Sequence, residues 1–199
     1  MASTLKSIDA AAAYEANAGA FLRGRDRSPI GARVAEQWAR SLNRGAAVIE
    51  MACGGGYPIT TALEAAGLQL WAVDASPTLV AEFKARFPNI PVRCEHVQTS
   101  SFFNRKFEGA IAVGLLFLLP ESDQAALIAR VSTIVVPGGR FLFTAPLQVH
   151  TWADMNTGLE CISLGQERYE DLLTQSDFRL VATHVDEGAN NYYEAEKLG

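Results

Sequence analysis

The sequence predicts an α/β fold: a doubly wound, mostly parallel sheet with helices on both faces. Three observations carry that expectation. Apolar runs alternate with helical stretches through most of the chain, as strand–helix units do. The first run, Ala47-Val48-Ile49-Glu50-Met51, leads through Ala52 and Cys53 into Gly54-Gly55-Gly56 and then a helical stretch. A buried strand, a turn almost without side chains and a helix form the opening unit of such a fold, with the ligand at the strand's carboxyl end. Finally, residues 107–114 are apolar nearly throughout, as suits a central parallel strand buried on both faces.

The elements follow in order. Residues 7–22 read as an alanine-rich helix, with Tyr14, Ala18, Phe21 and Leu22 available for one face. Residues 24–29 break the pattern, and 30–42 form a second helix with Val34, Trp38 and Leu42 at four-residue spacing. Both helices precede the first strand and are expected to cap the ligand mouth. After the glycine turn, 60–66 is helical and Gly67 ends it. Residues 68–73 are the second strand, closed by Asp74. Ser76 reads as an N-cap with Pro77 as the first helical residue, followed by Leu79, Val80 and Phe83 on the apolar face. The third strand is 92–97, and 100–106 is a loop or short helical turn. The fourth strand, 107–114, is followed by a helix over 123–135 with Leu127, Ile128, Val131 and Val135 on one face. Pro137-Gly138-Gly139 turns the chain into the fifth strand, 140–145. Residues 148–165 read as a long irregular segment and 166–175 as a helix. Residues 178–185 and 190–195 form a terminal, hairpin-like pair of strands.

Composition bounds the function. With 199 residues, 49% of them apolar and 20% charged, the chain reads as one globular domain with one substantial core. A net charge of -5 argues against generic nucleic-acid binding, which needs clustered Lys and Arg for phosphate neutralisation. Cys53, Cys94 and Cys161 are far apart and lack metal-ligand spacing, so reduced thiols, no metal and a cytoplasmic location are expected. Cys53 reads as a small buried hydrophobe rather than a nucleophile. No apolar run is long enough for a membrane span, and Asp9 and Glu15 argue against a secretory signal.

The glycine spacing narrows the ligand. A dinucleotide loop wants Gly-x-Gly-x-x-Gly. Counted from Ala52 the third position is Tyr57, and counted from Gly54 it is Ile59, so both frames fail. What fits is acidic-x-small-x-Gly-x-Gly, built from Glu50, Ala52, Gly54 and Gly56. This resembles the first motif of class I S-adenosylmethionine (SAM) dependent methyltransferases. Their ligand has no phosphate to cradle, and its ammonium suits an acidic residue beside the turn. Val73-Asp74-Ala75-Ser76-Pro77 looks like the family's ribose-binding strand end. The apolar fourth strand and its continuation, and Val135-Val136-Pro137-Gly138-Gly139-Arg140-Phe141 before the fifth, are similar to the family's pattern in order and spacing. The likeness covers nearly the whole chain.

The resemblance implies a Rossmann-like sheet of seven strands with the last antiparallel. It divides residues 1–199 into a helical cap (1–44), a cofactor-binding core (45–146) and an acceptor-side segment with the terminal strands (147–199). It implies SAM as cofactor and S-adenosylhomocysteine (SAH) as product. Glu50 is expected to hold the cofactor's ammonium, directly or through water, while Ala52, Cys53, Gly54 and Gly56 form the turn against it. Asp74 and Ala75 are expected at the ribose, where a carboxylate accepts from both hydroxyls, and Gly114 closes the fourth-strand side. Where many members place an acidic residue for adenine, this chain has His96; either its imidazole or the Val97 N–H is the adenine contact. A second departure is Ala52 in place of the usual first glycine, which is cheap only where φ is negative. From the cap, Tyr14 is a candidate neighbour of the sulfonium and Arg25 a candidate partner for the carboxylate.

The motifs of nucleic-acid methylating enzymes are absent, so a small-molecule acceptor is expected, with no nucleic acid or membrane partner and a monomer or homodimer. The chemistry is methyl transfer to an O, N or S nucleophile, for which proximity and orientation contribute roughly 7–11 kcal/mol in favourable cases. In the segment after the fifth strand, Trp152 is expected against the acceptor and His150 as the base; of Tyr192 and Tyr193, strand alternation lets only one face the pocket. The alternatives are a SAM-binding protein without transferase activity and a nicotinamide-dependent oxidoreductase, which the missing third glycine disfavours.

Overall fold

The computed structural model describes residues 2–199, with side chains from Ala10 onward. Helices α1 (Ala2–Arg25) and α2 (Ala32–Ala39) lead into β1 (Ala47–Met51), α3 (Ile59–Ala65), β2 (Gln69–Asp74), α4 (Pro77–Arg86) and β3 (Val92–Cys94). After β4 (Phe107–Ala112) come α5 (Glu121–Ile134), β5 (Val135–Thr144), β6 (Val149–Ala153), β7 (Glu160–Leu164), α6 (Gln166–Gln175), β8 (Phe178–Val185) and β9 (Asn191–Lys197). Short 3-10 turns lie at Phe102–Asn104 and Leu116–Leu118.

The main sheet has seven strands in the order β3-β2-β1-β4-β5-β9-β8. Strands β1 to β5 are mutually parallel where they pair, and β9 runs antiparallel to both β5 and β8. Strand order reverses between β1 and β4, so the crevice for a ligand opens outside the carboxyl ends of these strands. Strand parity sorts the core. Val48, Leu70, Ile111, Leu142 and Tyr192 face α2 and α3, where Val34, Trp38 and Leu63 are fully buried. Ile49, Met51, Ala110, Phe141, Phe143 and Tyr193 face the other way, with Leu127, Ile128 and Val131 of α5 and Tyr169 and Leu173 of α6. Because α2 packs flat on the sheet, α1 alone of the two N-terminal helices reaches over the strand ends.

Two local expectations are corrected. Strand β5 begins at Val135, which pairs with Phe107, so the Pro-Gly-Gly turn is a bulge inside the strand. Residues 148–165 are not irregular: β6 and β7 pair antiparallel, with Val149 opposite Leu164 and Trp152 opposite Cys161. The hairpin stands off the main sheet on a buried polar anchor. The Gln124 side-chain amide donates to the carbonyls of Leu119 (2.9 Å) and Ile162 (3.0 Å). The Tyr169 hydroxyl donates to Gln124 Oε1 (2.7 Å) and accepts from the Leu164 N–H (3.2 Å). Among the described residues, no helix is long and apolar enough to cross a membrane.

Candidate functional site

A cavity of about 720 Å³ lies at the carboxyl ends of the parallel strands, beneath α1 and beside the β6–β7 hairpin. The structure brings together in its wall Tyr14, Arg25, Ala52, Gly54, Asp74, Ala75, His96, Val97, Gly114, His150, Trp152 and Tyr192. Four expected site residues, Glu50, Cys53, Gly56 and Tyr193, are absent from that wall.

Asp74 ends β2 against the glycine turn. Its carboxylate accepts from the N–H of Gly54 (2.8 Å) and of Ser76 (2.9 Å), fixing turn and strand end together. Burial raises its pKa, and those N–H donors oppose the rise. The helix after it starts as the sequence implies: Pro77 is its first residue and Ser76 Oγ accepts from the Leu79 N–H (3.2 Å). Ala52 sits at φ 55, the left-handed region, so the missing glycine leaves a strained residue at the cavity wall.

The four residues outside the wall have physical reasons to be there. Glu50 shares the parity of Val48 and therefore points beneath α3, where Thr60 Oγ1 donates to its Oε2 at 2.6 Å. Burial pushes this carboxyl up to about 8, with Asp74 adding to the rise and the Thr60 hydrogen bond opposing it. Gly56, at φ 89, leaves room for the Phe87 ring, which an added Cβ would strike; Thr60 Oγ1 lies 3.1 Å from that position. Its glycine thus serves packing against Phe87. Cys53 packs with Ala72 and Phe83, and burial pushes its thiol pKa well up. Tyr193 has the opposite parity to Tyr192 and stacks on Phe143 in the core (5.0 Å, 5°).

Helix α1 forms the roof. Phe21 lies over Gly54, whose added Cβ would come within 3.1 Å of the ring. The Glu15 carboxylate accepts from the Ser76 hydroxyl and from the N–H (3.1 Å) and hydroxyl (2.6 Å) of Thr78, at the start of α4. At the other end of α4, Arg86 donates to both oxygens of Asp26 (2.6 and 2.8 Å). Arg25 donates to the Ile30 carbonyl only at 3.4 Å; burial lowers its pKa, and the neighbouring Tyr192, Asp186 and Glu50 oppose this.

The hairpin forms the remaining wall. His150 and Trp152 share one face of β6 and stack (4.7 Å, 27°), and Phe117 lies 5.2 Å from the same indole. His150 Nδ1 is 3.2 Å from the Gln148 carbonyl oxygen, which only accepts. The neutral ring therefore carries its proton on Nδ1 and leaves the Nε2 lone pair available.

Sequence reasoning assigned no site role to several wall residues: Glu95, Asp154, Asn156, Asp186, Phe21 and Phe117. Glu95 had a signal, being next to His96 at a strand end; its Oε2 is buried without a hydrogen-bond partner among the described residues. Asp154 accepts from Tyr14 and Thr157, and Asp186 from Tyr192, Gly188 and Asn190. Tyr14, Tyr192 and the loops holding these carboxylates are far apart in sequence or meet only across strands, which no local pattern encodes.

Residues 48–139 match a family model described as a methyltransferase domain. The fold is similar to Burkholderia thailandensis 1,6-didemethyltoxoflavin-N1-methyltransferase, solved with 1,6-didemethyltoxoflavin and SAH. That pair shares 20% identity over 95% of this chain and 89% of the other, with a TM-score of 0.74. It is also similar to the glycopeptide N-methyltransferase MtfA (17% identity, 84% of this chain and 96% of the other, TM-score 0.70). A third similar structure is magnesium protoporphyrin IX methyltransferase from Synechocystis PCC 6803 with bound SAM (15%, 83% and 77%, TM-score 0.66). At these identities the likeness is one of fold. No curated protein matches the chain in sequence.

Proposed function

We propose that the chain, whose residues 48–139 match a methyltransferase-domain model and whose fold is similar to that of SAM-dependent methyltransferases, transfers a methyl group from SAM to a small-molecule nucleophile. The observation that carries this reading is the division of one cavity. Gly54, Asp74 and His96 line one part of it, and the hairpin residues His150 and Trp152 line another. Its volume, about 720 Å³, lies within the roughly 300–1,000 Å³ usual for small-molecule sites.

The donor and acceptor set fits SAM. Asp74 has lone pairs beyond its two N–H partners, Glu95 Oε2 is buried and unpartnered among the described residues, and a Cβ on Gly114 would meet open space. Asp74 and Ala75 would hold the ribose, and His96, Val97 or Glu95 the adenine edge. Arg25, held by only long contacts to Ile30, would pair with the carboxylate. Glu50, behind the turn on Thr60 and outside the cavity wall, would bear on the ammonium only indirectly, by holding the strand end that carries the turn. When bound, SAM supplies a methyl group already activated on a sulfonium. The chain's own work is then to hold the acceptor in line, exclude water beneath α1, and accept a proton at His150 Nε2 where the acceptor carries one. A built acceptor wall favours transfer over cofactor binding alone.

Calorimetric titration with SAH and NAD in parallel tests the reading, followed by turnover of SAM on an acceptor panel. SAH should bind and NAD should not. Binding of NAD without SAH would overturn the proposal.

A further inference from the structure

We propose that the acceptor is a planar heteroaromatic molecule, held between two sets of aromatic side chains. This rests on the methyl-transfer reading and names the class of its acceptor. One set is the row His150–Trp152–Phe117, in contact at 4.7 and 5.2 Å. The other comes from α1, where Tyr14 and Phe21 meet edge to face at 5.4 Å and 79°. All five rings contribute to or flank the same cavity wall. The Tyr14 hydroxyl reaches Asp154, two residues beyond Trp152, so one end of the gap is clasped across the two sets. A gap bounded by rings rewards a flat molecule, because offset and edge-to-face contacts need a π face that a puckered, saturated ring lacks.

The polar groups around the rings bear on the rim of the guest. Asp154 already accepts from Tyr14 and twice from Thr157. Asp186 already accepts from Gly188, Asn190 and Tyr192. These bonds come from neutral donors and fix both carboxylates in place at the rim of the cavity. The wall also carries the amide side chains of Gln148 and Asn191, each both donor and acceptor. Such groups match a ring whose rim mixes nitrogen lone pairs, N–H groups and carbonyls.

The test is calorimetry with lumazine, hypoxanthine and quinoxalin-2-one as probes, each with and without saturating SAH. Glutarimide, which has an imide edge but no aromatic face, is the comparator. At least one ring should bind about tenfold or more tighter than glutarimide, and Trp152→Ala should weaken it by about tenfold. Trp152→Phe should restore most of that affinity, and neither variant should move the SAH affinity. Glutarimide binding as tightly as the rings, or rings indifferent to Trp152→Ala, would overturn the proposal. Loss of all ring binding in a protein that still binds SAH would overturn it and leave the methyl-transfer reading standing. Trp152-dependent ring binding in a protein that ignores SAH would support the gap and overturn that reading instead.

Discussion

Tyr14 of α1 donates its hydroxyl hydrogen to Asp154 Oδ1 at 3.2 Å, joining the roof of the cavity to the tip of the β6–β7 hairpin. Asn156 donates to the same hydroxyl at 3.3 Å. Tyr14→Phe removes both bonds while keeping the ring. A hydrogen bond to a charged group contributes about 1.5–3 kcal/mol when buried, and this one is partly exposed. SAH affinity should fall severalfold with the fold retained. Burial and Asp154 raise the Tyr14 pKa, so the hydroxyl stays protonated through the mildly alkaline range. The Tyr14→Phe deficit in SAH affinity should therefore be the same at pH 7 and pH 9. A deficit that vanishes at pH 9 would mean that the hydroxyl ionises in this range, and no deficit at either pH would mean that the clasp does not support SAH binding.

Ala52 offers a prediction about strain. It holds φ 55 at the turn between β1 and Gly54. A left-handed conformation costs a non-glycine residue roughly 1–2 kcal/mol. Ala52→Gly should stabilise the fold by about 1 kcal/mol once the entropy of the unfolded glycine is set against it. Urea unfolding measures this directly, and an unchanged or lower midpoint would show that the turn relaxes around alanine.

Asp74 joins the two halves of the cofactor end through Gly54 and Ser76. Asp74→Asn keeps shape but removes charge and one acceptor. Loss of a charged hydrogen bond, about 1.5–3 kcal/mol, corresponds to about tenfold to over a hundredfold in SAH affinity. A folded variant with parental SAH affinity would remove Asp74 from the ribose.

Glu50 makes stability depend on pH. Burial pushes its carboxyl from the ordinary value of 4.5 up to about 8. Between those values the folded state keeps a proton that the unfolded chain releases. The unfolded state then binds fewer protons, so the favourable contribution is complete below 4.5 and is lost as pH rises through about 8. Asp74, raised by the same burial, acts in the same direction. Glu50→Gln abolishes the Glu50 titration. Its melting temperature relative to the parent should climb as pH rises from 5 to 9. Parallel curves for the two proteins would show that Glu50 ionises in the folded chain as it does in the unfolded one.

The parts of this architecture legible in the sequence are those written locally. Val48 to Gly56, Asp74-Ser76-Pro77 and the apolar run of β4 each carry strand, cap or turn chemistry within a few residues. The hairpin was not legible. Val149 is 77% exposed, and β6 has no buried apolar face: His150 and Trp152 lie on one side and Val149, Thr151 and Ala153 on the other. Its place is fixed instead by Gln124, a polar residue in the first turn of α5 that gives no sign in sequence of being fully buried. The outward or inward sense of Glu50 was recoverable: it shares parity with Val48, which faces α2 and α3, but the motif drew attention to its chemistry rather than its direction. Tyr192 and Tyr193 were limited to one pocket residue by the same alternation, and only the pairing with β5 decides which.

His150 follows from that hairpin. Its Nδ1 lies 3.2 Å from the Gln148 carbonyl oxygen, and its ring is stacked on Trp152, so tautomer and orientation are both set before any acceptor arrives. Nε2 is then the nitrogen left to take a proton from an acceptor lying against the same wall. Removing a general base costs about 10²–10⁴-fold where proton transfer is part of the barrier. Once an acceptor is found, His150→Ala should lower kcat within that range and leave SAH affinity unchanged. The deficit should narrow as pH rises, because an acceptor that ionises unaided no longer needs the base. His150→Gln keeps a side chain of similar reach without a titratable nitrogen, so it should share the kcat deficit if proton transfer is the role and recover if packing on Trp152 is. A His150→Ala enzyme with parental kcat at every pH would leave positioning in the aromatic gap as the chain's whole contribution.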